Sequence, residues 1–263
     1  MTSLLVAAVT VTLTVWVVSL IRSVRWRALV YSLPIPITMM SIATPFHVDG
    51  GELLGVAALN AFFVVVAVLH VRMGLHIVVA DLAGVLVYLG LSRLVAVFEP
   101  LPLPPVLAVV GVLWAVATVL FPPGPDRAAG PATRLGPLAK LGAAAGGSLL
   151  MVAVGRHLKG LVVTFPYSGV LVVLETRHDL ERFTRHFTRN SIGLVAFFTA
   201  CHLLREQGRP VALAAGWLAH ALCATALHLG RARGRPPAAS GPGEGEVQAP
   251  GHGGDEARPR SSP

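Results

Sequence analysis

The sequence predicts an all-α, polytopic membrane protein of about nine transmembrane helices, arranged as an inverted 4+1+4 repeat. Three observations lead there. Of the 263 residues 54% are apolar and 13% charged, with a mean hydropathy of +0.70, against about 25% charged residues in soluble domains. The apolar residues fall into successive runs parted by short arginine-bearing segments. The third observation is a repeat: Arg27 to Pro34 reads R-A-L-V-Y-S-L-P, and 132 residues later Lys159 to Pro166 reads K-G-L-V-V-T-F-P. The same offset pairs His70 with His202. Two related membrane halves suggest a pathway built between them.

The first run, residues 3–21, is uncharged and long enough to cross a bilayer. Met1, Thr2 and Ser3 carry no basic side chain, and Arg22, Arg25 and Arg27 follow the run. That order predicts a retained helix with its N-terminus outside rather than a signal peptide. Further spans are expected at 28–46, 53–70, 75–91, 106–121, 138–155, 160–174, 191–204 and 210–227. The later ones fall short of the usual length of about 20 residues, so flanking arginines must snorkel or one segment must be re-entrant.

Nine spans with the N-terminus outside put fourteen basic residues on the inner side: Arg22, Arg25, Arg27, Arg72, Arg127, Arg134, Lys140, Arg177, Arg182, Arg185, Arg189, Arg231, Arg233 and Arg235. Four fall outside: Arg156, Lys159, Arg205 and Arg209. The bias matches the positive-inside rule and predicts a multi-pass protein of a bacterial cytoplasmic membrane with its C-terminus in the cytoplasm. The net charge of +8 is thereby explained by loops, not by a nucleic-acid surface. The repeated motif opens the second and the seventh span, five apart, so its two copies run in opposite directions.

Domain boundaries follow: 1–105 for the first four helices, 106–136 for a linker helix and cytoplasmic loop, 137–229 for the second four, and 230–263 for a tail. The loop contains Pro122, Pro123, Pro125 and Pro131 among glycines. The tail has Val247 as its one large aliphatic residue and cannot bury enough apolar surface to offset ordering entropy. Cys201 and Cys223 both sit in apolar runs and read as small packing residues.

Asp81 is the sharpest site candidate, a carboxylate inside the 75–91 span. Such a group is costly in lipid unless paired, protonated or hydrated, and suits either proton coupling or an interhelical hydrogen bond. His70, His76 and His202 are its candidate partners. Pro34, Pro36 and Pro166, with Ser168, interrupt the two motif helices, freeing carbonyls that Ser32, Thr164, Tyr167 and Ser168 are placed to satisfy. His47, Asp49 and Glu52 after the first copy, and Glu175, His178 and Asp179 after the second, are metal-ligand types. Inverted halves would put them on opposite faces, so a polar gate or solvated loop is expected there and no shared metal. Over 175–190, His178, Arg182, Arg185 and Arg189 share one helical face, opposite Leu180, Phe183 and Phe187. That pattern predicts a basic amphipathic helix in the inner interface, its arginines near anionic headgroups. His220 reads as an interhelical hydrogen-bonding residue. No glycine-rich phosphate loop, G-x-S-x-G, H-E-x-x-H or C-x-x-C is present, so no cofactor, metal or ATP-driven step is expected.

The stretch Gly160-Leu-Val-Val-Thr-Phe-Pro-Tyr-Ser-Gly-Val170, echoed by Leu33-Pro34-Ile35-Pro36, resembles the motif region of GlpM-like small bacterial inner-membrane proteins. Those are four-helix chains with an F-P or L-P signature in the second helix. The resemblance covers about 45 residues of each half and implies a fused duplication of a four-helix unit; it implies no activity. Three functions compete: a secondary transporter or exporter near Asp81 and the broken helices, a membrane enzyme acting on a lipid-linked or isoprenoid substrate, and a non-catalytic accessory subunit.

Overall fold

The computed structural model describes residues 23–35, 48–98, 101–121 and 167–233, with isolated positions 12, 16, 21, 37, 38, 41, 138 and 142. Pro36, His47, Pro166, most of the expected spans 3–21 and 138–155, and residues 234–263 lie outside the described residues. The chain divides into a unit of residues 1–227 and a second of 228–263. Every described element is helical, with no strand among the described residues.

The first element, α1 (Val24–Tyr31), starts at Ser23, whose hydroxyl accepts from the Trp26 amide. It stops where the sequence demands. Pro34 cannot donate to the Val30 carbonyl, which the Leu33 amide takes instead at 3.2 Å. Ser32 Oγ donates to the Leu29 carbonyl at 2.7 Å. The expected span 28–46 is therefore interrupted at Ser32–Pro34. Beyond the break, the Pro34 carbonyl accepts from both the amide and the hydroxyl of Thr38, at 2.9 and 2.7 Å.

Helix α2 (Gly50–Ala67) opens with a capping box: Asp49 Oδ1 accepts from the Gly51 amide at 2.6 Å, and Glu52 Oε2 accepts from the Asp49 amide at 2.8 Å. It runs into a π turn, Val68–Arg72. His70 Nδ1 donates to the Leu75 carbonyl at 2.8 Å, and Gly74 takes φ +71°, a value that glycine adopts without strain. Antiparallel α3 (Ile77–Val97) follows. A Cβ at Gly84 would come within 2.5 Å of Val66 and 2.8 Å of Phe62, so α2 and α3 meet in a close approach that only glycine permits. α4 (Leu103–Leu120) begins behind Pro102 with prolines in its first turn.

The C-terminal elements are α5 (Tyr167–Thr176), α6 (Leu180–Asn190), α7 (Ile192–Leu203), a 3₁₀ turn (Arg205–Gln207) and α8 (Arg209–Arg233). Gly208, at φ +96°, joins that turn to α8. Two aromatic-rich clusters form the core. One gathers Tyr31, Phe63, Phe183 and Phe187 at ring distances of 4.8–6.2 Å. The other packs Leu53, Val106, Phe197, Phe198 and Cys201.

Among the described residues, four helical segments are long and apolar enough to cross a membrane: Gly50–Arg72, Ile77–Val97, Leu103–Leu120 and Arg209–Leu229. α4 exposes Val109, Val112, Leu113, Val116, Val119 and Leu120, at 49% to 77% of their surface. An apolar face that large is at home in lipid, not in water. The apolar helices mark a membrane protein.

Candidate functional site

α6 and α7 lie antiparallel along α2, and four pairs of residues mark the register. Arg72 faces Glu181 at 3.8 Å, and Thr184 Oγ1 donates to the Phe63 carbonyl at 3.4 Å. Asn60 Nδ2 donates to Ser191 Oγ at 3.0 Å, and His202 Nδ1 donates to the Val48 carbonyl at 2.8 Å. With eleven residues in α6 and twelve in α7 around Ser191, the pair measures roughly 36 Å at 1.5 Å per residue.

Ser191 interrupts this long rod. Its amide bonds to the Phe187 carbonyl and its own carbonyl accepts from Leu194 and Val195. Its hydroxyl folds back to donate to the Thr188 carbonyl at 2.7 Å, and Trp114 Nε1 of α4 donates to the same carbonyl at 2.8 Å. A serine hydroxyl and an indole on one carbonyl are the kind of intrusion that interrupts helices. Opposite stands Asn60, eleventh of the 23 residues of Gly50–Arg72. Asn60, Trp114, Thr188 and Ser191 thus form a polar cluster half-way along an apolar helix. Asn60 was the one amide in its apolar run, a signal legible in sequence; Trp114 and Ser191 carried none.

α6 departs from its expected place. The arginine pattern predicts a helix resting on a membrane surface, but Leu180, Phe183, Thr184, His186, Phe187, Thr188 and Asn190 are buried, and α6 packs against α1, α2 and α4. Its apolar stripe meets protein rather than lipid. Arg182, Arg185 and Arg189 occupy the remaining, partly exposed side.

At the Arg72 end of α2 the charges converge. Arg27 is buried, donating to the Ile21 carbonyl from Nε and Nη2 at 3.1 and 2.6 Å. Burial pushes its guanidinium below the ordinary arginine value, and the negative charges of Glu175 and Asp179 oppose that shift. Arg72 adds its contact with Glu181 and lies over the Phe121 ring at 5.8 Å. At the Gly50 end, a cavity of about 360 Å³ is lined by Ser41, Asp49, Cys201, Arg205 and Arg209 among others. The Nδ1 bond to a carbonyl makes that nitrogen of His202 a donor, leaving Nε2 to accept from Arg205 Nη1 at 3.3 Å.

No protein-family model, curated protein or solved structure matches this chain. The site is therefore read from its geometry alone.

Asp81 is buried on α3, and its Oδ1 has no hydrogen-bond partner among the described residues. The histidines weighed as its partners have other bonds. His70 holds the turn after α2, His76 accepts from the Val78 amide at 3.4 Å, and His202 sits against Val48. His70 and His202, equivalent by repeat offset, lie at opposite ends of α2. The two acidic segments part likewise, Asp49 and Glu52 capping α2 while Glu175 and Asp179 face Arg27. No group of three or more metal-ligating residues is assembled among the described residues. Pro34 is buried at the α1 break, and Ser168 belongs to the first turn of α5.

Proposed function

We propose that this protein is a secondary transporter of the bacterial cytoplasmic membrane, built as two inverted four-helix halves around the linker helix α4. The observation that carries the reading is the polar interruption at Ser191, set against Asn60 half-way along α2. Interrupted helices with polar groups at mid-depth are the usual sites of cargo and coupling ions in such proteins. Chain direction supports the inversion. Arg27, in the first motif copy, lies where α1 begins, and Glu175 lies where α5, which carries the second copy, ends. Their electrostatic coupling is what inverted motif helices would give, the start of one lying towards the end of the other. This organisation also agrees with a fused duplication of a GlpM-like unit.

Within this reading Asp81 is the coupling carboxylate, gaining and losing a proton as the cavity at the Gly50 end and the ion pairs at the Arg72 end exchange access. Arg182, Arg185 and Arg189 are the groups that would meet an anionic headgroup, or an anionic cargo arriving from the inner side. The enzyme alternative needs the acidic segments to converge, and their separation along α2 counts against it.

Topology is the first test. In a Cys201→Ser, Cys223→Ser background, a membrane-impermeant thiol reagent should label Gln207→Cys on intact cells. Met73→Cys and Arg177→Cys should label only after lysis. Labelling of all three from one side would sink the inverted arrangement. Coupling is the second test. In phosphatidylethanolamine–phosphatidylglycerol vesicles holding a pH-sensitive dye, a panel of anionic, zwitterionic and cationic solutes should include one that moves protons. Asp81→Asn should abolish that movement without lowering the melting temperature; unchanged proton flux would remove Asp81 from the mechanism.

A further inference from the structure

α6 carries positive charge to a depth where a membrane offers little to balance it. Glu181, near its start, faces Arg72 at the end of α2. Ser191, just past its last residue, meets Asn60 at the middle of that span. Trp114, twelfth of the 18 residues of α4, donates to the Thr188 carbonyl. The far end of α6 is therefore level with the middle of two apolar helices. At 1.5 Å per residue, Arg185 and Arg189 stand about 6 and 12 Å beyond Glu181 along the helix. They are four residues apart, one turn on the same face.

The carboxylates of the chain are all accounted for elsewhere. Arg72 takes Glu181, Arg27 is coupled to Glu175 and Asp179, and Arg182 has an interaction of its own. Asp49, Glu52 and Glu206 lie at the Gly50 end, and Asp81 pairs with neither arginine. Glu99 and Asp126 each adjoin a proline between expected spans, and the expected spans 138–155 and 160–174 contain no carboxylate. The remaining four of the 13 belong to the second unit of the chain. Arg185 and Arg189 thus have no hydrogen-bond or ion-pair partner among the described residues, and Arg185 Nε is enclosed. Arginine keeps its charge in proteins, and a charge at this depth is costly without a counter-ion. Both side chains keep part of their surface exposed, so an ion from solution can reach them.

We propose that Arg185 and Arg189 form a binding site for a divalent oxyanion of the phosphate type. Two positive charges one turn apart are balanced by two negative ones, and each guanidinium fork donates in pairs to phosphate oxygens. A phosphate group with one or no ester bond is largely divalent at neutral pH. A monocarboxylate would leave one arginine uncompensated. A phospholipid diester also carries a single charge, and its phosphate lies in the headgroup layer, beyond the hydrocarbon depth that Arg189 reaches. This deepens the transport reading by giving the anionic cargo a chemical class, and it rests on that reading for the inner side from which the ion arrives.

The test is equilibrium dialysis of radiolabelled inorganic phosphate against purified full-length protein in an uncharged maltoside detergent. Phosphate should bind saturably. Sulfate should displace it, and acetate at the same concentration should not. Phenylglyoxal, which modifies accessible guanidinium groups, should react more slowly with Arg185 and Arg189 when phosphate is present, as read by peptide mapping. Arg185→Gln and Arg189→Gln should each weaken binding by roughly tenfold or more. Arg93→Gln, which removes an exposed arginine of α3, should leave it unchanged. Competition and protection use the unaltered protein, so they give the answer if either variant fails to fold. Displacement by phosphatidylglycerol but not by sulfate would assign the arginines to a lipid headgroup and overturn the proposal. So would an absence of phosphate binding, equal displacement by acetate, or protection confined to other arginines. A protein that binds phosphate but moves no solute keeps this site and loses the transport reading. One that moves protons with a solute and binds no phosphate does the reverse.

Discussion

At the Arg72 end of α2, side chains from elements far apart in sequence hold one another. Arg27 is coupled to Glu175 and Asp179, Arg72 to Glu181, and Tyr31, Phe63, Phe183 and Phe187 close ranks behind them. At the Gly50 end the bonds run mostly from side chain to backbone. Asp49 and Glu52 cap their own helix, His202 holds the Val48 carbonyl, and a cavity remains between Asp49, Arg205 and Arg209. The first construction is lost if the elements part, because each group needs its distant partner. At the second the polar bonds mostly travel with a single helix, and contact between elements rests on the packing of Leu53, Val106, Phe197, Phe198 and Cys201. Polar contacts between distant elements are thus concentrated at one end, and a cavity at the other.

Substitutions should reproduce that order. The largest effect belongs to Phe63→Ala, which empties the centre of the aromatic cluster. It should cost roughly 3 kcal/mol, read as a large fall in melting temperature in detergent micelles. Arg27→Ala comes next. It removes two bonds to the Ile21 carbonyl and the charge that couples to Glu175 and Asp179, for a loss of roughly 2 kcal/mol, measurable by chemical unfolding. At the opposite end Asp49→Ala should cost only about 1 kcal/mol, the value of an N-cap. Asp49→Asn should recover most of it, since asparagine caps nearly as well. If Asp49→Ala proves as damaging as Phe63→Ala, the two ends are not built differently. Glu181→Gln should be the mildest, below about 0.5 kcal/mol. Its carboxylate and Arg72 are 42% and 58% exposed, and raising the salt concentration should erase even that difference.

Apolar length made α2, α3, α4 and α8 legible from the sequence, because long uncharged runs have few alternatives in a bilayer. Pro34 likewise announced the end of α1, since a residue without an amide proton cannot continue the ladder. The placing of α6 was not legible. Leu180, Phe183 and Phe187 define a stripe, but periodicity cannot distinguish a stripe that meets lipid from one that meets Tyr31 and Phe63. The same limit applied to the polar cluster. Asn60 is the one amide in its apolar run and was passed over, and its partner Ser191 is 131 residues away, with no local pattern linking them. His70 and His202 invited pairing by their offset, but the one bonds to the Leu75 carbonyl and the other to the Val48 carbonyl, at opposite ends of α2.

The bond between Asn60 and Ser191 also has a meaning for biosynthesis. A ribosome delivers α2 and α4 well before α6 and α7 exist. During that interval the Asn60 amide has only its own helix to bond, the Trp114 indole lacks the Thr188 carbonyl, and Phe63 lacks its cover of Phe183 and Phe187. The half-made protein displays polar groups within an apolar setting, the mark by which an unfinished chain differs from a finished one. Insertion of residues 180–203 removes all of these at once, making the last third of the chain the step that completes assembly.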